Sequence, residues 1–235
     1  MSFTFQQAAT ATISAVTSQA ITFANAPVNG ELIAIEVVIN SGTATITPPA
    51  GFAAKVIVQP TSRSVAIYWK IAGAGESTSY TFTFSASVSG GIVARRFSSS
   101  DGWDTDQSGG ASTSASDSTG TASQISAAIT TTANRLLVIA GYAASTSATN
   151  KQLNPTTPAW QDSTLIYSSR SRMAYRAAVG GSETLGYQLT DSTLDNRLAF
   201  VAAEFVELAP SMSSDTGAIA KTLMSPLFKT LLEAS

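Results

Sequence analysis

Hydrophobic residues along this chain come in short blocks separated by runs of Ser, Thr, Ala and Gly. Many blocks alternate apolar and polar positions with period 2 and are rich in Val, Ile, Thr, Tyr and Phe, the signature of β-strands. Tyr80, Phe82 and Phe84 alternate with Thr81 and Thr83, which puts three rings on one face of a strand. Thr43–Thr47 alternates too and stops at Pro48-Pro49, which cannot continue a central strand. The pattern predicts strands at Phe3–Gln7, Thr10–Val16, Ala20–Phe23, Glu31–Ile39, Lys55–Gln59, Ser64–Ile71, Ser79–Ser85 and Gly91–Phe97 in the first half. It predicts Ile125–Thr131, Arg135–Tyr142, Thr164–Tyr167, Arg172–Ala178, Glu183–Leu189 and Leu198–Leu208 in the second. So many short strands at close spacing point to an all-β, antiparallel β-sandwich.

The halves resemble each other. Gly30-Glu31-Leu32-Ile33 aligns with Asn134-Arg135-Leu136-Leu137, and Pro49-Ala50-Gly51-Phe52 with Pro158-Ala159-Trp160. Tyr68-Trp69-Lys70 aligns with Ala174-Tyr175-Arg176, and Gly73–Glu76 with Gly180–Glu183; Tyr80 then matches Tyr187. The repeat spans about 18–98 and 123–208, inside a sandwich of residues 1–208. Two architectures fit: tandem sandwiches, or halves that interleave into one jelly-roll-like sandwich. The few large apolar residues in each half favour the single one. The two Gly-rich turns read as hairpins. Residues 98–122, polar and Gly-rich, read as one long loop joining the halves.

The period changes near the end. Residues 209–215 read as a linker and 216–235 as an amphipathic helix. Leu223, Met224, Leu227, Phe228, Leu231 and Leu232 form one apolar stripe, and Ser225-Pro226 is a helix-start signal. A helix this short is marginal alone, so it has to dock. The occupant of its apolar face is either the chain's own sandwich or a partner, and its terminal position favours a partner.

Composition narrows the chemistry. His and Cys are absent, which excludes a Ser-His-Asp triad, a Cys nucleophile, a disulfide framework and ordinary zinc or haem sites. Only 12% of residues are charged, the net charge is -2, and Ser plus Thr make up about 27% of the 235 residues. No global basic field is available for nucleic acid, and no apolar run is long enough to span a membrane. The N-terminal MSFTFQQAATATIS has neither the basic nor the apolar region of a Sec signal.

The one dense carboxylate group is Asp101, Asp104 and Asp106, with Trp103 among them. Such a loop can bind a hard cation, but the EF-hand spacing is missing and a solvated loop is the simpler reading. Trp103 is a candidate ligand contact or a cap on the sandwich. Glu31, Glu36, Glu76, Glu183, Glu204 and Glu207 show no pairing that would serve glycoside hydrolysis. Four of them sit on strand patterns or at turns, where a solvent-facing acid is ordinary. Arg95-Arg96 and Arg170, Arg172 and Arg176 likewise read as solvated strand faces. The aromatic group Tyr68, Trp69, Tyr80, Phe82 and Phe84 reads as core. No cofactor is implied.

Gly30–Ala34, Thr47–Phe52, Tyr68-Trp69-Lys70, Ala72–Gly75, Thr81–Phe84 and Ile129–Asn134 before Leu136-Leu137-Val138 together carry a likeness. Across residues 18–208 the chain resembles the β-sandwich domains of tailed-bacteriophage virion proteins and of some bacterial surface proteins. The resemblance implies a non-enzymatic structural or adhesive role. With the short length and the terminal stripe, it leads to the expectation of a capsid decoration (cement) or head/tail-attached subunit. Such a subunit assembles in the host cytoplasm, forms homo-oligomers and binds other virion proteins. The alternative is a carbohydrate- or receptor-binding adhesin module of a tail fibre, with the Trp103 loop meeting a surface glycan.

Overall fold

The computed structural model describes residues 3–143, 151–167, 170–189 and 197–209, and they are all-β. The first half holds β1 (Phe3–Thr22), β2 (Leu32–Ile39), β3 (Ile46–Thr47), β4 (Ala53–Val58), β5 (Ser64–Ile71) and β6 (Ser79–Ser99). The second holds β7 (Ser112–Asp117), β8 (Gln124–Thr131), β9 (Leu136–Ala143), β10 (Lys151–Asn154), β11 (Gln161–Ile166), β12 (Ser171–Ala177), β13 (Gly181–Leu189) and β14 (Leu198–Phe205). Every pairing is antiparallel. The expected C-terminal helix, residues 216–235, lies outside the described residues.

Each half builds a larger and a smaller layer by the same pairing scheme. In the first half the larger layer runs β1-β6-β2-β5-β4, and the distal parts of β1 and β6 bend away to form the smaller layer with β3. In the second half the larger layer runs β7-β14-β9-β12-β11 and the smaller runs β8-β13-β10. The long β1 thus corresponds to β7 plus β8, and the long β6 to β13 plus β14. The first half runs the chain through both layers unbroken where the second breaks it.

Three apolar cores separate the layers. One lies between the two layers of the first half and includes Ile13, Ile21, Ile33, Ile35, Tyr68 and Phe82. A second lies between the layers of the second half and includes Ile125, Leu137, Ile139, Leu185, Tyr187 and Phe200. The third lies between the two larger layers, where Leu32, Ile67, Trp69 and Phe97 meet Val138, Tyr142, Met173 and Phe205. A strand of a larger layer is therefore covered on both faces. All eight positions of β2, β9 and β14 are buried, so their sequences do not alternate; they are apolar apart from one buried acid each in β2 (Glu36) and β14 (Glu204). Gly91 leaves room for the other larger layer: a Cβ there would meet Ile166 Cδ1 at 2.4 Å.

Three expectations change. No strand of one half pairs with a strand of the other among the described residues, so the halves do not interleave into one sandwich. Small residues in the larger layers let each half close its own core and leave a second face for its neighbour. The Gly73–Glu76 and Gly180–Glu183 turns are not hairpins, because β5 does not pair with β6, nor β12 with β13. They are corners where the chain passes from one layer to the other. Finally, residues 98–122 are not one loop. Ser112–Asp117 forms β7, an edge strand whose alternating exposed and half-buried positions need no large apolar residue.

Candidate functional site

The Trp103 loop leaves the end of β6 and is held to the end of β14. Trp103 is only 3% exposed, its indole Nε1 donates to the Phe97 carbonyl at 3.2 Å, and its backbone bridges to Glu207. Of its two candidate roles the structure shows the cap: the ring completes the central core rather than facing outward. The carboxylates beside it are engaged locally. Asp104 accepts from the Asp106 amide at 3.1 Å, and Asp106 accepts from the Ser108 amide at 2.7 Å, a bond that holds the Asp106 carboxyl below its ordinary range. Asp101 is half-buried, with its amide donating to Ser99 Oγ at 3.2 Å. Among the described residues no three acidic side chains converge as a cation site.

Sequence reasoning missed Gln107, which is 1% exposed and pins this loop. Its Oε1 accepts from the Val206 amide at 2.6 Å, and its Nε2 donates to the carbonyls of Val206 and Asp104, both at 2.8 Å. The side chain stands in for a strand at the end of β14. Nothing in a polar run such as Asp-Thr-Asp-Gln announces that use. The same pole gathers both ends of the described body. Phe3 pairs with Ser99, the Gly102 amide donates to Ser99, and the Leu208 amide donates to Gly102.

The charged strand residues are corrected as a group. Arg95, Arg96, Arg176, Glu31, Glu36 and Glu204 are buried, not solvated. Neighbours on a strand point to opposite faces, so Arg95 enters the central core while Arg96 enters the core of the first half. Arg95 donates to Glu36 Oε1 and Asp162 Oδ2, each at 2.7 Å, and to the carbonyls of Asp162 and Met173 at 2.7 and 3.1 Å. It therefore ties β2 and β6 of one half to β11 and β12 of the other. One cation faces two carboxylates there. Desolvation outweighs the attraction of Arg95 and pushes the Glu36 carboxyl up to about 7.

Two further ion pairs recur at corresponding places. Lys70 contacts Glu76 at 2.7 Å and lies over the Phe52 ring. Arg176 pairs with Glu183 and lies over the Trp160 ring. At the entry to β2, Arg96 pairs with Glu31 at 3.0 Å; at the entry to β9, Arg135 pairs with Glu204 at 3.3 Å. These charges organise turns and seams. On the outside, the described hollows are shallow; one of about 330 Å³ is lined by Asn134, Pro158, Gln161, Arg176 and Val179. Large exposed apolar side chains are scattered, at Val28, Ile57, Val179 and Leu208. The six residues of the expected docking stripe, Leu223, Met224, Leu227, Phe228, Leu231 and Leu232, lie outside the described residues. No family model, no curated protein and no solved structure matches this chain.

Proposed function

We propose that this chain is a non-enzymatic structural protein of a bacteriophage virion. Its role is that of a capsid decoration or cement protein, or of another head- or tail-attached subunit, held to neighbouring virion proteins and to copies of itself. The observation that carries this reading is where the charge sits. The chain is 12% charged, and Glu31, Glu36, Arg63, Arg95, Arg96, Arg176 and Glu204 are drawn inside. Among the described residues what remains outside is mostly Ser, Thr, Ala and Gln on the sheets, with Asp106 and Asp162 as the exposed charges. Such a surface costs little to desolvate against a neighbouring subunit, since few charges must be stripped of water.

Each half is read as a jelly roll, in tandem rather than interleaved. With β1 and β6 counted as two segments each, the first segment pairs with the eighth, the eighth with the third and the third with the sixth. In the other layer the second pairs with the seventh and the seventh with the fourth. The second half repeats this order. Double-layered eight-strand folds of this kind recur in capsid proteins.

In this reading the stripe from Leu223 to Leu232 is the anchor. The test is co-sedimentation of the full chain, and of the chain lacking residues 211–235, with undecorated phage particles. Saturable binding by the full chain and at least tenfold weaker binding by the shortened one are expected. Equal binding by both removes the anchor, and no binding by either removes the virion reading. A glycan-binding role would need residues other than Trp103, whose ring is inside.

A further inference from the structure

The two larger layers have four edges, and three of them carry features that discourage a further strand. β4 carries Lys55 and a register shift between Ala54 and Val56. β11 carries Asp162 and a register shift between Gln161 and Thr164. β7 is six residues long and ends in Asp117. Short length, charge and bulges are the usual means by which proteins protect sheet edges. The fourth edge, β1, has 20 residues with no charge, no Pro and no Gly. Its register shifts lie between Phe5 and Gln7 and beyond Ile13, so Gln7–Ile13 runs in unbroken register. Among the described residues only β6 pairs with this stretch.

The side chains of β1 point the same way. The shift between Phe5 and Gln7 changes which residues face which core. Phe3 and Phe5 therefore face the central core, whereas Ala9, Ala11 and Ile13 face that of the first half. Phe5, Ala9 and Ala11 stay only partly covered, so both cores have an open rim along this one strand. A strand laid beside β1 would pair its free backbone groups and close both rims.

We propose that β1 is a self-association edge, on which β1 of a second copy of this chain pairs antiparallel about a two-fold axis. The absence of charge selects a second copy. Across a two-fold axis a strand meets its own sequence, so any charge near the centre would face a like charge. Gln7–Ile13 carries none. The seven residues span roughly 23 Å, and pairing joins two larger layers into one continuous sheet. The inference names the surface for the self-association proposed above and stands apart from binding to other virion proteins, because it concerns only copies of this chain.

Analytical ultracentrifugation of the full chain, across concentration, tests it. Twice the 24.2 kDa chain mass is expected. Thr10 and Thr12 are exposed on β1, and T10K/T12K should weaken the dimer at least tenfold while the far-UV circular dichroism is unchanged. The chain lacking residues 211–235 should keep the two-chain mass. A one-chain mass at all concentrations overturns the proposal. So does a dimer that survives T10K/T12K, or a mass that grows without limit, which would mean pairing between unlike edges. Should the Lys variant fail to fold, hydrogen exchange of the wild type decides. Amides of Gln7–Ile13 exchanging more slowly as concentration rises support the edge, and concentration-independent exchange there overturns it. An intact dimer that ignores phage particles breaks the virion reading alone.

Discussion

The first half holds its entry turn with Glu31 on the turn and Arg96 on the strand; the second holds the corresponding turn with Arg135 on the turn and Glu204 on the strand. The backbone around them is the same. The Gly30 amide donates to Ala72 and the Ala72 amide to Glu31, just as the Asn134 amide donates to Ala178 and the Ala178 amide to Arg135. Glu31 accepts from the Val28 amide, and Glu204 accepts from the corresponding Thr132 amide. What the fold needs is a carboxylate on that turn amide and a cation to neutralise it. Which element supplies which is interchangeable. At Lys70–Glu76 and Arg176–Glu183, by contrast, the polarity is kept, because the cation also lies over an aromatic ring at Phe52 or Trp160.

The largest difference between the halves is Arg95 with Glu36. By strand pairing, their counterparts in the second half are Ala203 and Ala140. Arg95→Ala leaves Glu36 in the central core without its cation, beside the more exposed Asp162, and should cost about 3 kcal/mol in chemical denaturation. Glu36→Leu combined with Arg95→Met, which makes the first half apolar like the second, should cost less than Arg95→Ala alone. An additive result would show that the two residues act separately.

The next test uses pH. The folded state holds the Glu36 proton up to about pH 7, whereas an unfolded carboxyl releases it near 4.5. The contribution of this group is complete below pH 4.5 and is lost as pH rises through about 7. The unfolding midpoint should therefore fall between pH 5 and 8, by up to about 3 kcal/mol of stability, and Glu36→Gln should flatten that slope. A wild-type slope unchanged in the variant would place the titration elsewhere.

Smaller effects test the exchanged pair. Glu31→Arg and Arg96→Glu should each cost about 2 kcal/mol, since each leaves like charges together in a buried place. The double variant has the polarity of the second half and should recover at least half of the summed loss. No recovery would mean that the turn reads residue identity rather than charge pairing. Smallest of all, Asn134 sits at φ +69 where the first half has Gly30 at φ +87. Asn134→Gly should change stability by only about 0.5 kcal/mol, measured by thermal unfolding.

Much of the strand pattern was legible because buried strands advertise themselves. Leu136–Ala143 is an unbroken run without charge, Leu32–Ile39 and Leu198–Phe205 are apolar but for Glu36 and Glu204, and the alternating rings of Tyr80, Phe82 and Phe84 do share one core. The alignment of Lys70 with Arg176 and Glu76 with Glu183 places residues that make the same contacts. β7 was illegible because an edge strand of Ser and Thr buries little. The union of two predicted strands into β6 was illegible because the stretch between them, Ala86–Gly90, is small and polar and lacks a strong strand pattern. Gly90 and Gly91 admit close neighbours, the Val38 carbonyl and Ile166. Arg95-Arg96 read as solvated because charge says nothing about the partner it will meet, and Asp162 is 67 positions away. Trp103 in a polar loop gave no direction for its ring; that came from the Phe97 carbonyl and from the distant strand end at Glu207.

One pole of the molecule gathers Phe3, Ser99, Gly102 and Leu208. The first and last described segments thus meet on the same small patch. Phe3 and Leu208 therefore sit side by side, like two cords tied to one end of a float. The turns at Gly42 and Ser62 lie at the opposite ends of β2 and β5, a full strand length from that knot.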